Sequence, residues 1–235
     1  MKTEKLDDYV ATISTLRDNN RDLEIYIGLE TDFIPGVVSP KSFSDALDYT
    51  IGSIHFVESF ADGRRWEIDG FHTFFLEGLE KLFQNDIRAA ITRYYELTRE
   101  MIMTAPPDVV GHLDKIKIQN IDNKFYNESD AWYRKEISAT LDVIERNGVI
   151  VEVNTRGIYQ KKSTTTYPGP WILEQMYQRS IPITLSTDAH HPDDLINQFP
   201  EATKMLYKIG YRELMTLRNH QWKAYPFNEQ GLIIS

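Results

Sequence analysis

The stretch Leu185-Ser186-Thr187-Asp188-Ala189-His190-His191-Pro192 decides how the rest of the chain is read. Ahead of it, Ile181 to Leu185 is a short apolar run. An apolar run that breaks off in an acid and two imidazoles is how a parallel strand delivers metal-binding or acid–base groups to the C-terminal rim of an α/β fold. Asp188 and His190 stand two positions apart, so in extended backbone they point to one side, where a carboxylate and an imidazole can share a divalent cation. Pro192 stops the strand. The same residues also read as a chemically silent turn rich in Asp, His and Pro, so the outcome depends on whether other strand ends repeat the pattern.

They do. Leu23 to Glu30 alternates and then turns apolar, a strand whose last residue is a carboxylate; alone, Glu30 would equally be a helix cap or solvated. Tyr49 to Val57 is a second apolar strand with His55 near its end and Gly52 permitting close backbone approach, although one buried histidine is as readily explained by a bond to a carbonyl. Val109-Val110-Gly111-His112-Leu113-Asp114 is a third, ending in His and Asp. Val149 to Thr155 is a fourth, apolar enough to be covered on both faces. After it comes Arg156-Gly157-Ile158-Tyr159-Gln160-Lys161-Lys162, basic where the other strand ends are acidic or carry imidazole. Cations beside a metal rim suit an anionic substrate; a solvated basic loop accounts for the same residues.

Helices fill the intervals. Leu6, Val10, Ile13 and Leu16 predict an amphipathic helix over residues 4–18, and residues 40–47 a short helical connection. Glu58 to Gly70 reads as a polar loop, holding Arg64, Arg65 and Trp66 and long enough to cover a pocket mouth. Apolar residues from Phe74 to Met103 recur every three or four positions, fixing a helix or a pair of helices, with His72 in the preceding loop. Further helices are predicted over 131–146, stopped by Asn147-Gly148, then over 170–179 and 201–209. Glu213 to Leu217 is a candidate last strand, residues 221–235 show no clear periodicity, and His220 reads as structural.

Composition sets the bounds. A chain of 235 residues with 41% hydrophobic content can bury one sizeable core, and a single α/β domain over 1–235 is the expectation. Thirty-five acids against 26 bases give a formal charge of −9, which repels a nucleic-acid backbone. With no cysteine, any metal must be held by His, Asp and Glu, ligands that suit Zn, Mn, Fe or Mg. No apolar run approaches membrane-spanning length and residues 1–20 are charged, so a soluble cytoplasmic protein is expected. Oxygen and nitrogen ligands gathered from several strands can hold more than one divalent ion, which makes hydrolysis of a phosphate ester the natural reaction class.

The strings Gly28-Leu29-Glu30, Gly52-Ser53-Ile54-His55, Gly111-His112-Leu113-Asp114, Glu152-Val153-Asn154-Thr155 and Ser186-Thr187-Asp188-Ala189-His190 resemble, in order, successive motifs of the polymerase and histidinol phosphatase (PHP) superfamily, its histidinol-phosphatase branch most of all. The resemblance implies a distorted (β/α)7 barrel of TIM type, up to three divalent metal ions (Zn, Mn or Fe) at its C-terminal rim, and hydrolysis of L-histidinol phosphate in histidine biosynthesis. By position it implies Glu30 as a bridging ligand and His55, His112, Asp188 and His190 as further ligands. Asp114 is a weaker candidate and His191 a neighbour. Asp188, His190 and Arg156 would carry the chemistry, with Arg64, Arg65, Asn154, Arg156 and Lys161 as candidates to hold the substrate.

The chain also departs from that pattern. Members open with a strand bearing His-x-His and place another histidine after the second strand, whereas the first histidine here is His55. Residues 1–20 then correspond to the helix before the family's third strand. The barrel is expected to lack two βα units at its N-terminus, leaving an incomplete site and two sheet edges open to homo-oligomer formation. Two other readings stay open: a phosphoesterase of the same kind acting on a nucleotide or another small phosphate ester, and a non-catalytic fragment.

Overall fold

The computed structural model describes residues 5–233. Helix α1 (Leu6–Asn19) carries Asp7 and Asp8 in its first turn and Arg17 in its last, the charge order its dipole favours. It is docked by polar bonds: the Tyr9 hydroxyl donates to the Gly28 carbonyl at 2.6 Å and Arg17 to Asp48 at 3.2 Å. Strand β1 (Gly28–Asp32) is shorter than the predicted run and ends past Glu30 rather than on it. Strand β2 (Tyr49–Ser53) likewise stops before His55.

The expected polar loop over Glu58 to Gly70 is corrected. Strands β3 (Phe56–Ser59) and β4 (Arg65–Glu67) form an antiparallel hairpin there. Its anchor is Trp66, fully buried, whose indole N–H donates to the Phe75 carbonyl at 3.1 Å. Strands this short hold too few inward residues for a period of two to stand out among Asp, Arg and Glu. The long periodic stretch resolves into two helices, α2 (His72–Phe83) and α3 (Ile87–Thr104). Gln84 and Asn85, both at positive φ, make the break, and the Asp86 side chain caps α3 by accepting from the Ala89 N–H at 3.0 Å. His72 therefore opens a helix rather than sitting in a loop.

Strand β5 is only Val109–Val110, so His112 and Asp114 lie beyond it. Helix α4 (Ala131–Asn147) ends on Gly148 at φ +64 and leads into β6 (Ile150–Asn154), buried along its whole length as its composition predicts. The basic segment after β6 opens as a helical turn, α5 (Arg156–Tyr159), not a loop. Helix α6 (Pro170–Gln178), β7 (Ile183–Ser186) and α7 (Phe199–Ile209) complete the alternation.

The five strands β1, β2, β5, β6 and β7 are parallel and adjacent in that order, with seven α-helices among the described residues around them. The core runs from Trp66 and Phe75 through the α3–α4 pair to Leu206 on α7. Among the described residues β1 and β7 end the sheet, which is open. The candidate last strand, β8 (Glu213–Arg218), does not extend it. It pairs with β9 (Gln221–Asn228), and β9 with β10 (Gly231–Leu232), in a separate antiparallel sheet that occupies much of the stretch expected to lack pattern. Asn219 and His220, both at positive φ, form the tight β8–β9 turn, and His220 Nδ1 meets Asp48 Oδ1 at 2.9 Å. Between the two sheets lies an apolar cavity of about 720 Å³ lined by Tyr49, Ile51, Leu214 and Trp222. No described helix is long and apolar enough to cross a membrane.

Candidate metal centre

The parallel strands bring their C-terminal ends to one rim. Glu30 is central in β1, His55 lies in the break between β2 and β3, and His112 follows β5 by two residues. These three meet: one ligand atom from each lies within 4.8 Å of the others. Glu30 Oε1 faces His112 Nε2 at 2.9 Å and His55 Nε2 at 3.7 Å, and accepts the Ser53 hydroxyl at 2.7 Å. The two imidazole rings meet nearly edge to face, 5.0 Å apart. A Cβ at Gly111 would stand 2.4 Å from Ser53 Oγ, so only glycine leaves room for the hydroxyl that holds Glu30.

The donor set fits a divalent cation of the zinc, manganese or iron kind. His55 Nδ1 sits 2.7 Å from Asp32 Oδ1, an arrangement that fixes the ring and presents Nε2 to the cluster. His112 is buried, its backbone N–H bonded to Glu152 at 2.8 Å and its Nδ1 without a partner. Burial opposes a charge on Glu30, yet the His112 hydrogen bond, the His112 and His55 charges and the Ser53 hydroxyl hold its carboxyl well below the usual range. Burial also opposes protonation of His55. The Asp32 hydrogen bond and the Asp69, Glu30 and Asp32 charges outweigh it and push the imidazole up to about 9. The field at this spot favours positive charge.

A polar cavity of about 220 Å³ opens on the cluster, and Asp188, His190 and Arg156 also line it. Asp188 sits in the left-handed region at φ +51, a conformation tolerated by Asp and often kept at functional sites. Arg156 Nη1 donates to the Asp188 carbonyl and to His190 Nδ1, and lies 3.7 Å from Asp188 Oδ1. The His190 side chain is 68% exposed. Of the five expected ligands, Glu30, His55 and His112 therefore gather into one cluster, while Asp188 and His190 stand on the same cavity outside it.

The substrate candidates divide. Arg156 lines the cavity. Asn154 is buried and does not; its amide reaches Asp188 Oδ2 at 3.4 Å and its Oδ1 accepts the Arg156 N–H at 2.8 Å, which makes it a positioning residue. Arg64 and Arg65 are corrected. Strand alternation that buries Trp66 turns Arg65 outward, and Arg64 is taken by Asp62 at 2.8 Å and Glu77 at 3.0 Å, over the Phe60 ring. Neither lines the cavity. Lys161, at φ +57, faces a different surface hollow, and its neighbour Lys162 lines the metal cavity instead. Asp114 stands outside the cluster, where its Oδ2 accepts Lys117 at 2.7 Å and the Gly169 N–H at 2.9 Å. His191 turns to the Asp193 N–H at 3.3 Å, and His72 to Gln119 at 2.9 Å.

Sequence reasoning missed Asp32, Asp69, Lys115 and Tyr167. Asp32 had a signal, since it follows Glu30 by two and shares its face of the strand. Lys115 directly follows the Gly111–Asp114 strand-end motif, whereas Asp69 and Tyr167 stand apart from any such motif and only the folded backbone brings them to the rim.

Several known proteins are similar to this chain. The "Probable histidinol-phosphatase" of Deinococcus radiodurans is 29% identical over 219 residues, covering 90% of this chain and 75% of that protein. The "Histidinol-phosphatase" of Bacillus subtilis is 27% identical over 83% of this chain and 74% of its own length. The crystal structure of histidinol phosphate phosphatase from Lactococcus lactis, complexed with zinc, L-histidinol and phosphate, superposes with a TM-score of 0.61 at 20% identity, covering 93% of this chain and 79% of that one. Residues 1–156 match the PHP domain, a span that includes all three residues of the metal cluster. On that match, over well more than half its length, the chain belongs to the PHP domain family.

Proposed function

We infer that the chain is a metal-dependent phosphomonoesterase that hydrolyses L-histidinol phosphate to L-histidinol and phosphate. The observation that carries this reading is the convergence of Glu30, His55 and His112 on one cavity, in a chain similar over 90% of its length to a protein of that name. Glu30, His55 and His112 would hold the ion. A divalent cation bound there supplies charge that polarises the phosphoryl group and acidifies a water.

The chain's own residues supply the rest. The Asp188 carboxylate, steadied by Asn154 and Arg156, is the acceptor for a proton of the attacking water. Arg156 faces the phosphoryl oxygens and offsets charge that builds on them. His190, exposed at the mouth, gives a proton to the departing alcohol oxygen as the ester P–O bond breaks. A net charge of −9 supports a small phosphate ester over a nucleic-acid strand as substrate, and a biosynthetic role of this kind supports a cytoplasmic location.

The test is a phosphate-release assay on the zinc- or manganese-loaded protein with L-histidinol phosphate and a nucleoside monophosphate side by side. Release from the first, at least tenfold faster in kcat/KM, is the expected result. Preference for the nucleotide, or no release from either, overturns the reading.

A further inference from the structure

Cationic side chains around the metal cavity differ in how their donors are met. Lys117 is saturated: its ammonium donates to Asp114 at 2.7 Å, the Thr165 hydroxyl at 3.1 Å and the Thr166 carbonyl at 3.1 Å. Arg156 is engaged by the Asp188 carbonyl and His190. Lys162 lines the cavity from an exposed position. Lys115 shares a 3-10 turn (Lys115–Gln119) with Lys117 but has a different environment.

The Lys115 side chain is 9% exposed and lines the metal cavity. Among the described residues its nearest carboxylate oxygen, Asp69 Oδ2, lies 3.6 Å away, too far for a good hydrogen bond. The Tyr167 ring centroid is 5.6 Å from its Nζ, a contact that steadies the charge but takes none of its three protons. With its stem mostly buried, the Lys115 ammonium can fill its donors only from the cavity side, and a fold that surrounds Lys117 with three acceptors gives Lys115 no hydrogen-bond acceptor among the described residues. Tyr167 adds a second donor: among the described residues its buried hydroxyl makes no hydrogen bond within range, and the residue lines the same cavity. A Cβ at Gly157 would lie 2.5 Å from the Tyr167 ring, so glycine there lets the ring reach the cavity wall.

We propose that Lys115 is a seat for the phosphoryl oxygens of the substrate and of the phosphate product, with the Tyr167 hydroxyl as an auxiliary donor. The proposal deepens the reading of this cavity as a phosphate-ester site and rests on it. Two donors without acceptors, on a wall shared with the metal cluster, match an oxyanion. Asp69 keeps the ammonium at the cavity wall between turnovers.

The experiment titrates inorganic phosphate into the zinc-loaded protein by calorimetry, with bound zinc and melting temperature measured on every variant. Lys115→Met should weaken phosphate binding by about tenfold or more, the usual loss for a charge-assisted hydrogen bond, and raise KM more than it lowers kcat. Lys115→Arg should recover most of the affinity, and Tyr167→Phe should lose a smaller factor. Phosphate binding within twofold of the parent in Lys115→Met overturns the proposal. So does a lowered melting temperature or lost zinc in both Lys115→Met and Lys115→Gln, which would make Lys115 a counter-ion of Asp69 only. A parent protein that binds no phosphate overturns it as well. Because the probe is inorganic phosphate, a protein that binds it normally yet leaves L-histidinol phosphate intact would fail the substrate assignment without touching Lys115.

Discussion

Around one cavity of about 220 Å³, two groups of rim residues are built in different ways. Glu30, His55 and His112 are held close by Ser53, Asp32 and the Glu152 carboxylate, each bonded at 2.7 or 2.8 Å. Asp188 is itself left-handed and is supported by Arg156 and, at 3.4 Å, by Asn154, while the His190 side chain meets Arg156 and stays 68% exposed to solvent. The first group is preorganised for a cation. The second is placed to handle protons and an anion at the mouth, where access matters more than rigidity. Residues that answer the same sequence pattern thus arrive with different supports.

The sharpest way to break that contrast is to remove one member of each group. His112→Ala should take away bound metal and cut turnover to less than about a hundredth, because a buried ligand and its field are lost together. Asp188→Asn should cut turnover by a similar factor while metal content stays near that of the parent, since Asp188 stands outside the cluster. Metal analysis beside phosphate release reads both. Metal lost equally from the two variants would merge the groups into a single ligand shell.

The supports themselves give a smaller effect. Among the described residues Asp32 hydrogen-bonds to the cluster through His55 Nδ1, at 2.7 Å. Asp32→Asn should weaken metal binding by about 10–100-fold, as loss of an outer carboxylate commonly does, and leave the fold intact. Competition against a chelator of known affinity measures it. An unchanged affinity would mean that packing alone orients the His55 ring.

How much of this was legible in the chain depends on which force places each residue. Strand ends bearing Glu30, His55, His112 and Asp188 could be read because alternation and apolar runs report the sheet directly, and a parallel sheet sends all its ends to one rim. The β3–β4 hairpin could not, since each of its short strands buries one residue, Val57 in β3 and Trp66 in β4, too few for a period to show. The β9 strand was hidden for a related reason: its burial is uneven and only Phe227 is fully inside, so no period survives. Lys115 and Lys117 were indistinguishable as letters. Their difference lies in Asp114, Thr165 and Thr166, which the fold brings to one ammonium and not to the other.

The weakest expected effect concerns protons and separates the groups by pH. In the metal-free chain His55 is pushed up to about 9 while Glu30 is held well below the usual carboxylate range, so near neutrality the cluster carries a proton on His55 and none on Glu30. A cation must displace that proton. Zinc affinity, measured in chelator-buffered titrations, should therefore rise about tenfold from pH 7 to 8, more gently to pH 9, and level off above it, with close to one proton released per ion at pH 7. Stability of the metal-free chain runs the other way. A histidine whose folded value is raised stabilises the fold fully below its ordinary value of 6.5 and loses that contribution as the pH climbs through about 9. Opposite pH trends in metal affinity and metal-free melting temperature would tie both to the His55 proton. Parallel trends would assign the titration to another group, and the Asp32–His55 bond would then not be what primes the cluster for its ion.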